Sequence, residues 1–195
     1  MSPLRIAILG SGKGSNFRSI LAAVNSGRLQ VQPVLVMSDN ADAGILDLAR
    51  DAGVPADVIR EDKFCTRLSE SVESALAARL RDSGAEIVVL AGYMRMVKFP
   101  ILEAFPRRII NIHPSLLPAF PGLEAWKQAR RAGVSKTGCT VHFVDGGMDT
   151  GEIIAQSEVP VLPDDTDESL HARIQVAEHE LFPRVLERFA TRELP

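Results

Sequence analysis

Residues 111 to 122 read NIHPSLLPAFPG, and this segment carries the side chains best suited to chemistry on a carbonyl group. Asn111 and His113 lie at the end of a short apolar run, and Pro114 ends the strand that this run predicts. Side chains two apart on a strand leave the same face, so both can address one bound atom. An amide donor beside an imidazole can stabilise an oxyanion and move a proton. The alternative is that His113 makes only a structural hydrogen bond.

A glycine-rich loop near the start of the chain is the second candidate site, with GSGKGSN at residues 10 to 16. Its glycines allow close backbone approach to a ligand, and the N–H groups at the start of the following helix favour a phosphate. Lys13 and Ser15 are possible further donors. The spacing differs from the dinucleotide GxGxxG motif, and no GK[ST] follows as in a P-loop. A glycine-rich turn without a ligand is the alternative.

A third candidate is the turn DGGMDTG at residues 145 to 151. The carboxylate of Asp149, placed beside His113, would raise the pKa of the imidazole and could collect a proton from an attacking amine. The alternative is that Asp149 is a turn carboxylate only. His142, on the strand before this turn, is expected to be a buried hydrogen-bonding residue.

Metal, disulfide and covalent chemistry find little support in the residue pattern. Cys65 and Cys139 lie far apart and form no CxxC pair, and no pair of possible ligands shows HExxH spacing. Ser115 lacks the GxSxG context of a nucleophilic serine. We therefore expect no metal site and no covalent intermediate with the protein.

The elements that must position these loops alternate between strand and helix over the first 110 residues. Continuous apolar runs of this kind predict a parallel sheet covered on both faces. Two alternating segments joined by a glycine turn then predict a hairpin, and a capped amphipathic segment predicts a long closing helix. Strands are expected at 4–9, 31–37, 56–59, 86–91, 108–112, 137–144 and 152–161, and helices near 17–24, 41–52, 69–81 and from 167 onward. The predicted fold class is a doubly wound, mostly parallel α/β sheet with a C-terminal antiparallel hairpin and a long closing helix.

Length and charge limit the partners. The chain has 195 residues, 46% of them hydrophobic, and a formal net charge of −3, which suits one domain with a substantial core. No run of basic residues marks a nucleic-acid or anionic-membrane surface, and no apolar run approaches the length of a membrane helix. We expect a cytoplasmic protein that binds small molecules rather than nucleic acid or membrane, as a monomer or homodimer.

These motifs, in this order, resemble the folate-dependent formyltransferase family. The string NIHPSLLPAFPG is joined by GKGSNF at residues 12–17, LAGYMR at 90–95, MDTGEII at 148–154 and QVAEHE at 175–180. The resemblance covers nearly the whole chain, and it is specifically to members that formylate glycinamide ribonucleotide. It implies 10-formyltetrahydrofolate as co-substrate, no metal, and one domain over 1–195 with a phosphate-binding half at about 1–108 and a catalytic and folate half at about 109–195.

The resemblance also assigns residues to roles. The catalytic trio would be Asn111, His113 and Asp149. The phosphate and ribose of the substrate would be held by Gly12, Lys13, Gly14, Ser15, Asn16, Phe17, Gln175 and Glu178. The folate would be held by Arg67, Tyr93, Met94, Arg95, Met96, Val97, Asn111, Val144, Asp145 and Asp149, with Arg95 on the glutamate-tail side.

Three other functions use parts of the same pattern. A hydrolase of the same formyl-folate would use the same carbonyl-activating residues with water as nucleophile. A formylase of methionyl-tRNA would call for a further RNA-binding domain, and a non-catalytic nucleotide sensor would use only the glycine loop. The resemblance also places a helix after Pro121 and Gly122. Trp126 departs from the small or polar residue expected in that helix, and we expect it to pack in the core or against a partner.

Overall fold

A computed structural model describes residues 2–61 and 66–194, so Cys65 lies outside the described residues. The strands are β1 Leu4–Leu9, β2 Val31–Ser38, β3 Ala56–Val58, β4 Ile87–Leu90, β5 Ile109–His113, β6 Lys136–Phe143 and β7 Ile153–Pro160. The helices are α1 Ser15–Asn25, α2 Gly44–Asp51, α3 Glu70–Asp82, α4 Phe99–Ala104, α5 Ala125–Arg131 and α6 Asp167–Ala190.

All seven strands form one sheet in the order β3-β2-β1-β4-β5-β6-β7. The first five run parallel, and β6 and β7 are antiparallel to their neighbours. The predicted fold class is confirmed, including the hairpin. The strand order reverses between β1 and β4, and in such sheets ligands bind outside the carboxyl ends of the strands near that reversal.

Both faces of the sheet are buried, which explains the continuous apolar runs in the sequence. Successive side chains of a strand point to opposite faces. Ile6 and Ile8 therefore join a core that includes buried residues of α1, α2 and α6. Ala7 and Leu9 join a second core that includes buried residues of α3 and α4.

Two helices differ from the sequence expectation. Helix α2 begins at Gly44 rather than near residue 41, because the preceding residues form a turn in which the Asn40 side chain accepts a hydrogen bond from the Asp42 backbone. Helix α4 was not predicted, since six residues with Pro100 in the first turn are too few to show a helical period.

Helix α6 closes the molecule and brings three polar side chains to the carboxyl edge of the sheet. Its N-terminus is fixed by a capping box in which the Thr166 side chain accepts from the Ser169 backbone and the Ser169 side chain accepts from the Thr166 backbone. His171, Gln175 and Glu178 follow at spacings of four and three, which place them on one face. In the described part of the chain, no helix is long and apolar enough to cross a membrane.

Candidate active site

A cavity of about 710 Å³ lies along the carboxyl edge of the sheet. Its walls come from the loops that follow β1, β4 and β5, from the turn between β6 and β7, and from α6. It brings together nearly all of the predicted site residues: Gly12, Lys13, Gly14, Ser15, Asn16, Tyr93, Met94, Arg95, Met96, Val97, Asn111, His113, Val144, Asp145, Asp149, Gln175 and Glu178. Three regions that are far apart in the sequence therefore form one site.

Two predicted residues do not line this cavity. Phe17 is fully buried in the core between the sheet and its helices, because it lies on the face of α1 that packs inward. Its side chain is therefore a core group, so the predicted contact of Phe17 with phosphate, which stays a prediction, would be made by its backbone N–H. Arg67 is exposed and pairs through its backbone with Met96, outside the lining of the cavity. The folate contact of Arg67 stays a prediction.

Asp149 is the centre of a hydrogen-bonded cluster. Its Oδ2 accepts a hydrogen bond of 2.8 Å from the backbone N–H of Gly122 and lies 3.4 Å from Nδ1 of His113. Its Oδ1 lies 3.6 Å from Nε2 of His142. Burial works to raise the pKa of Asp149, but the contact with His142, the hydrogen bond from Gly122 and the positive charge that His113 and His142 carry when protonated hold it below its usual range. The carboxylate is therefore ionised at neutral pH.

His113 is held by the loop that follows β5. Its Nε2 donates a 2.9 Å hydrogen bond to the carbonyl of Phe120, which also accepts from the Ser115 hydroxyl. Burial lowers the pKa of His113, and the Phe120 carbonyl and the Asp149 carboxylate offset part of that effect. The separation from Asp149 exceeds a normal charge-assisted hydrogen bond, so Nδ1 keeps hydrogen-bonding capacity for a third group.

His142 sets the orientation of Asn111. The two residues are directly opposite each other in the antiparallel register of β5 and β6. His142 Nδ1 donates to the Phe143 carbonyl at 2.8 Å, so in the neutral ring Nε2 carries the lone pair. That nitrogen accepts from the Asn111 amide at 3.1 Å. Because an amide nitrogen carries two hydrogens, the second is left for a ligand in the cavity.

The glycine loop meets α1 at the other end of the cavity. Gly14, the N-cap residue, has a left-handed backbone with φ 76°, and no side chain caps the helix. A Cβ at Gly14 would lie 2.9 Å from Cβ of Ile45, so both the backbone angle and the packing require glycine here. The first N–H groups of α1 therefore face the cavity edge without a side-chain acceptor, as in an anion-binding helix terminus.

A buried pair joins this loop to α6. Nδ2 of Asn16 donates a 3.0 Å hydrogen bond to Oε2 of Glu178, while Oδ1 of Asn16 has no partner. Burial raises the pKa of Glu178 to about 7, and the bond from Asn16 opposes that rise. Gln175 lies one turn before Glu178 and also lines the cavity. Gln175 and Glu178 thus offer hydrogen-bond acceptors for hydroxyl groups, next to the anion-binding N-terminus of α1.

The segment after β4 forms a more apolar wall. Met94 and Met148 are both more than half exposed around the cavity, as is Leu123. Exposed methionines are adaptable apolar contacts for a flat ligand. These residues give the cavity one polar half and one half with an apolar surface.

Arg95 is engaged within the protein. Its Nε donates to Asp39 at 2.8 Å, with both side chains largely buried, and its Nη1 donates to the Arg67 carbonyl at 3.1 Å. Asp39 also accepts from the Ser11 hydroxyl, which in turn accepts from the Met94 backbone. The guanidinium predicted to face the glutamate tail thus ties the loops after β1, β2 and β4 to one another.

Sequence reasoning missed several residues of the site. Asp39, which binds Arg95 but does not line the cavity, follows β2 at the same sheet edge. Trp126 and His171 line the cavity as a stacked pair, and no sequence signal joins them because they are 45 positions apart. Among the described residues, no group of three or more His, Cys, Asp or Glu side chains could hold a metal ion.

The residues of this cavity are those of an enzyme active site that binds anionic small molecules. An amide, two imidazoles and an ionised carboxylate share one cavity with an anion-binding loop, at the edge where α/β sheets bind ligands.

Comparison with known proteins agrees with that class. Residues 4–186 match the family described as formyl transferase. The chain is 39% identical to phosphoribosylglycinamide formyltransferase of Bacillus subtilis, over 94% of this chain and 93% of that protein. The crystal structure of glycinamide ribonucleotide transformylase 1 from Symbiobacterium toebii has a TM-score of 0.94 and 48% identity, over all of this chain and 91% of that one.

The chain therefore belongs to the formyl transferase family, which confirms the resemblance found in its motifs. It is also 45% identical to a trifunctional purine biosynthetic protein of Drosophila pseudoobscura pseudoobscura, over 96% of this chain, but it spans only 14% of that protein's length.

Proposed function

We propose that this protein transfers the formyl group of 10-formyltetrahydrofolate to the amine of glycinamide ribonucleotide in purine biosynthesis. The observation that carries the proposal is the division of one cavity into an anion-binding half and a half with an apolar surface, with Asn111, His113 and Asp149 among its lining residues. The names of the Bacillus and Symbiobacterium relatives support the same substrate.

The polar half suits the ribonucleotide. The phosphate would bind at the N-terminus of α1, where backbone N–H groups of the Gly12–Asn16 loop favour an anion and Lys13 adds a positive charge. The ribose hydroxyls would meet Gln175 and Glu178. This leaves the amine end of the substrate free to extend toward Asp149.

The other half suits the folate. Its wall includes the 93–97 segment and Val144, and Met94 and Met148 lie at its exposed rim. Asp145 is held by its own turn, since its Oδ1 accepts from the Gly147 backbone and from the Thr150 hydroxyl. In this proposal the turn and the 93–97 segment flank the flat ring system, and the formyl group lies beside Asn111 and His113.

The reaction forms one bond and breaks another. The nitrogen of the neutral amine attacks the formyl carbon, and the carbonyl electrons move to oxygen. The second amide hydrogen of Asn111 and a proton on Nδ1 of His113 stabilise that oxyanion. When the electrons return, the bond from the formyl carbon to N10 of the folate breaks.

Asp149 manages the protons in this scheme. The attacking amine loses one proton, and N10 of the leaving tetrahydrofolate gains one. A group in the site must therefore accept the amine proton and pass it to N10. Ionised Asp149 accepts the amine proton, directly or through water. Burial lowers the pKa of His113, and the negative charges of Asp149 and of the forming oxyanion favour a proton on its Nδ1. In this scheme His113 takes that proton from solvent before the attack and returns it after the products leave, so it does not enter the net transfer from the amine to N10.

A paired assay tests the proposal. Purified protein is incubated with 10-formyltetrahydrofolate in the presence and absence of glycinamide ribonucleotide, and released tetrahydrofolate is followed by absorbance. We expect release only with the amine present, with formylated product in equal amount. Release without the amine would show a hydrolase, and binding of the ribonucleotide without any product would show a nucleotide sensor.

Two variants test the catalytic assignment. Asn111→Ala and His113→Ala each remove a proposed oxyanion donor, a change that costs about 2.7–4 kcal/mol in other enzymes. We expect kcat to fall at least about a hundredfold with unchanged circular dichroism. Asn25→Ala, on an exposed site, and His179→Ala, outside the cavity lining, are matched controls that should keep full activity. Near-normal turnover in Asn111→Ala or His113→Ala would contradict the assignment.

A further inference from the structure

Trp126 of α5 and His171 of α6 form an aromatic stack that the proposed chemistry does not use. Their ring centroids are 3.7 Å apart and the ring planes differ by 1°. Both residues line the cavity, on the same side as Gln175 and Glu178. Stacking of this kind fixes the plane of an imidazole, so the ring of His171 is held in one plane at the wall of the cavity.

The fixed ring of His171 contacts Gln175. Nε2 of Gln175 lies 3.5 Å from Nε2 of His171, one helical turn away. An amide nitrogen can only donate, so this contact requires the imidazole nitrogen to be unprotonated and to accept. Burial lowers the pKa of His171, which agrees with a neutral ring. At 3.5 Å the contact is a long hydrogen bond.

This contact decides which end of the Gln175 amide faces the ligand. With its nitrogen directed to His171, the planar amide turns its oxygen the other way. The oxygen of Gln175 and the carboxylate of Glu178 then form two acceptors on one face of α6. Each ribose hydroxyl has one proton to donate and also accepts hydrogen bonds. Two acceptors on α6 can therefore take the protons of both hydroxyls, whereas a reversed amide would donate to one hydroxyl oxygen and leave that hydroxyl's proton without this acceptor.

We propose that Trp126 and His171 are positioning residues that set Gln175 to accept from a ribose hydroxyl and so select a ribonucleotide. The inference rests on the proposed function and adds to it the residues that orient Gln175 for recognition of the ribose. Trp126 fixes the ring, the ring fixes the amide, and the amide oxygen meets the hydroxyl.

A purely structural role for the stack makes a different prediction. The stack and the ion pair between Arg130 and Asp167 both fasten α5 to α6. The loop before α5 supplies the Gly122 N–H that binds Asp149. If the stack only holds α5 against α6, its loss would displace Asp149 and lower kcat. If the stack orients Gln175 toward the ribose, its loss would raise the KM for the ribonucleotide.

Three variants separate these roles. His171→Phe keeps an aromatic ring for the stack but removes the acceptor, Trp126→Leu removes the stack, and Trp126→Phe preserves it. We expect His171→Phe and Trp126→Leu to raise the KM for glycinamide ribonucleotide about tenfold, a loss consistent with one hydrogen bond. The KM for 10-formyltetrahydrofolate should change less than twofold, and so should kcat for His171→Phe. Trp126→Phe and the exposed control Val176→Ala should behave as wild type.

The sugar itself supplies a second measurement. Wild type should prefer glycinamide ribonucleotide over its 2′-deoxy or 3′-deoxy analogue, and His171→Phe should lose most of that preference for at least one of them. Trp126 is the single tryptophan, so its emission reports ribonucleotide binding without catalysis. We expect a saturable change in wild type whose midpoint moves about tenfold higher in His171→Phe.

The outcomes are distinct. Unchanged KM and unchanged sugar preference in His171→Phe, with normal wild-type activity, would overturn the inference. A lower kcat and melting temperature at unchanged KM would also overturn it, in favour of a structural anchor. If wild type neither binds nor formylates glycinamide ribonucleotide, the proposed function fails instead.

Discussion

At the scale of single residues, the environment of each polar group decides its protonation. Asp149 stays ionised because a backbone N–H and two imidazoles surround it, although it is partly buried. Glu178 is more deeply buried and has one donor, Asn16, so its pKa rises to about 7. Two carboxylates of one cavity therefore differ in charge in weakly acidic solution, which suits one to a proton-transfer role and the other to hydrogen bonding.

The raised pKa of Glu178 predicts a pH-dependent stability. Between about pH 4.5 and 7 the folded protein holds a proton on Glu178 that the unfolded chain has released. The free energy of unfolding should therefore fall as pH rises, by up to about 1.4 kcal/mol per pH unit from this group. Urea denaturation of wild type and Glu178→Gln across this range measures the effect, and the variant should lack this part of the slope.

The exposed neighbour Glu180 is the control for this experiment. Glu180→Gln should keep the wild-type slope, because the Glu180 carboxyl is exposed to solvent in the folded protein as it is in the unfolded chain. Equal slopes in wild type and Glu178→Gln would contradict the raised pKa of Glu178.

At the scale of elements, the site depends on how each loop joins its helix. The glycine loop reaches α1 through the left-handed Gly14, which packs against Ile45 of α2. The loop after β5 delivers the Phe120 carbonyl to His113 and the Gly122 N–H to Asp149. Strand ends thus set the position of each loop, and backbone groups within the loops set the orientation of the side chains.

Two glycine positions separate backbone strain from packing. Gly14 and Gly27 both have positive φ, near 76° and 73°, but a Cβ at Gly27 would meet nothing within 4 Å. Both Gly14→Ala and Gly27→Ala should cost about 1–2 kcal/mol of stability through the left-handed backbone. Only Gly14→Ala should displace the loop, since its Cβ would lie too close to Ile45.

Steady-state kinetics and thermal melting distinguish these effects. We expect Gly14→Ala to raise the KM for glycinamide ribonucleotide at least about tenfold, and Gly27→Ala to leave it unchanged. An equal KM in the two variants would show that the loop tolerates a methyl group at Gly14, contrary to the packing argument.

At the scale of the whole molecule, one sheet crosses the boundary between the two proposed halves. Strand β4 pairs with β5 across residue 108, and α6 from the second half packs on α1 from the first. Asn16 and Glu178 join the same two helices inside the cavity. The halves share a core and a site, so we propose that they unfold together.

A single cooperative transition is the expected result. Trp126 reports the second half, whereas far-ultraviolet circular dichroism reports helices of both halves. Urea unfolding followed by the two signals should give coincident midpoints and equal slopes, as two-state unfolding requires. Separate midpoints would mean that 1–108 and 109–195 are independent units.

The amino-acid sequence by itself determined the fold class and the three loops of the site, and the family resemblance that it carries supplied the predicted ribose and folate residues of the cavity lining. Buried parallel strands require continuous apolar runs, and loops at their carboxyl ends require glycine, proline and polar residues, so both leave local signals. Asn111 with His113, and the GSGKGSN loop, are read directly from such signals. Helix α4 escaped prediction because it is too short to show a period.

Only the tertiary structure decided which of these groups meet and in what state. Three contacts join residues from separate elements. Asn111 lies opposite His142 in neighbouring strands, Arg95 pairs with Asp39, and Trp126 stacks on His171. Phe17 became a core residue because α1 turns that face toward the sheet. Contacts between distant segments, and the pKa shifts that burial causes, depend on how the elements pack, and no local pattern of residues records that packing.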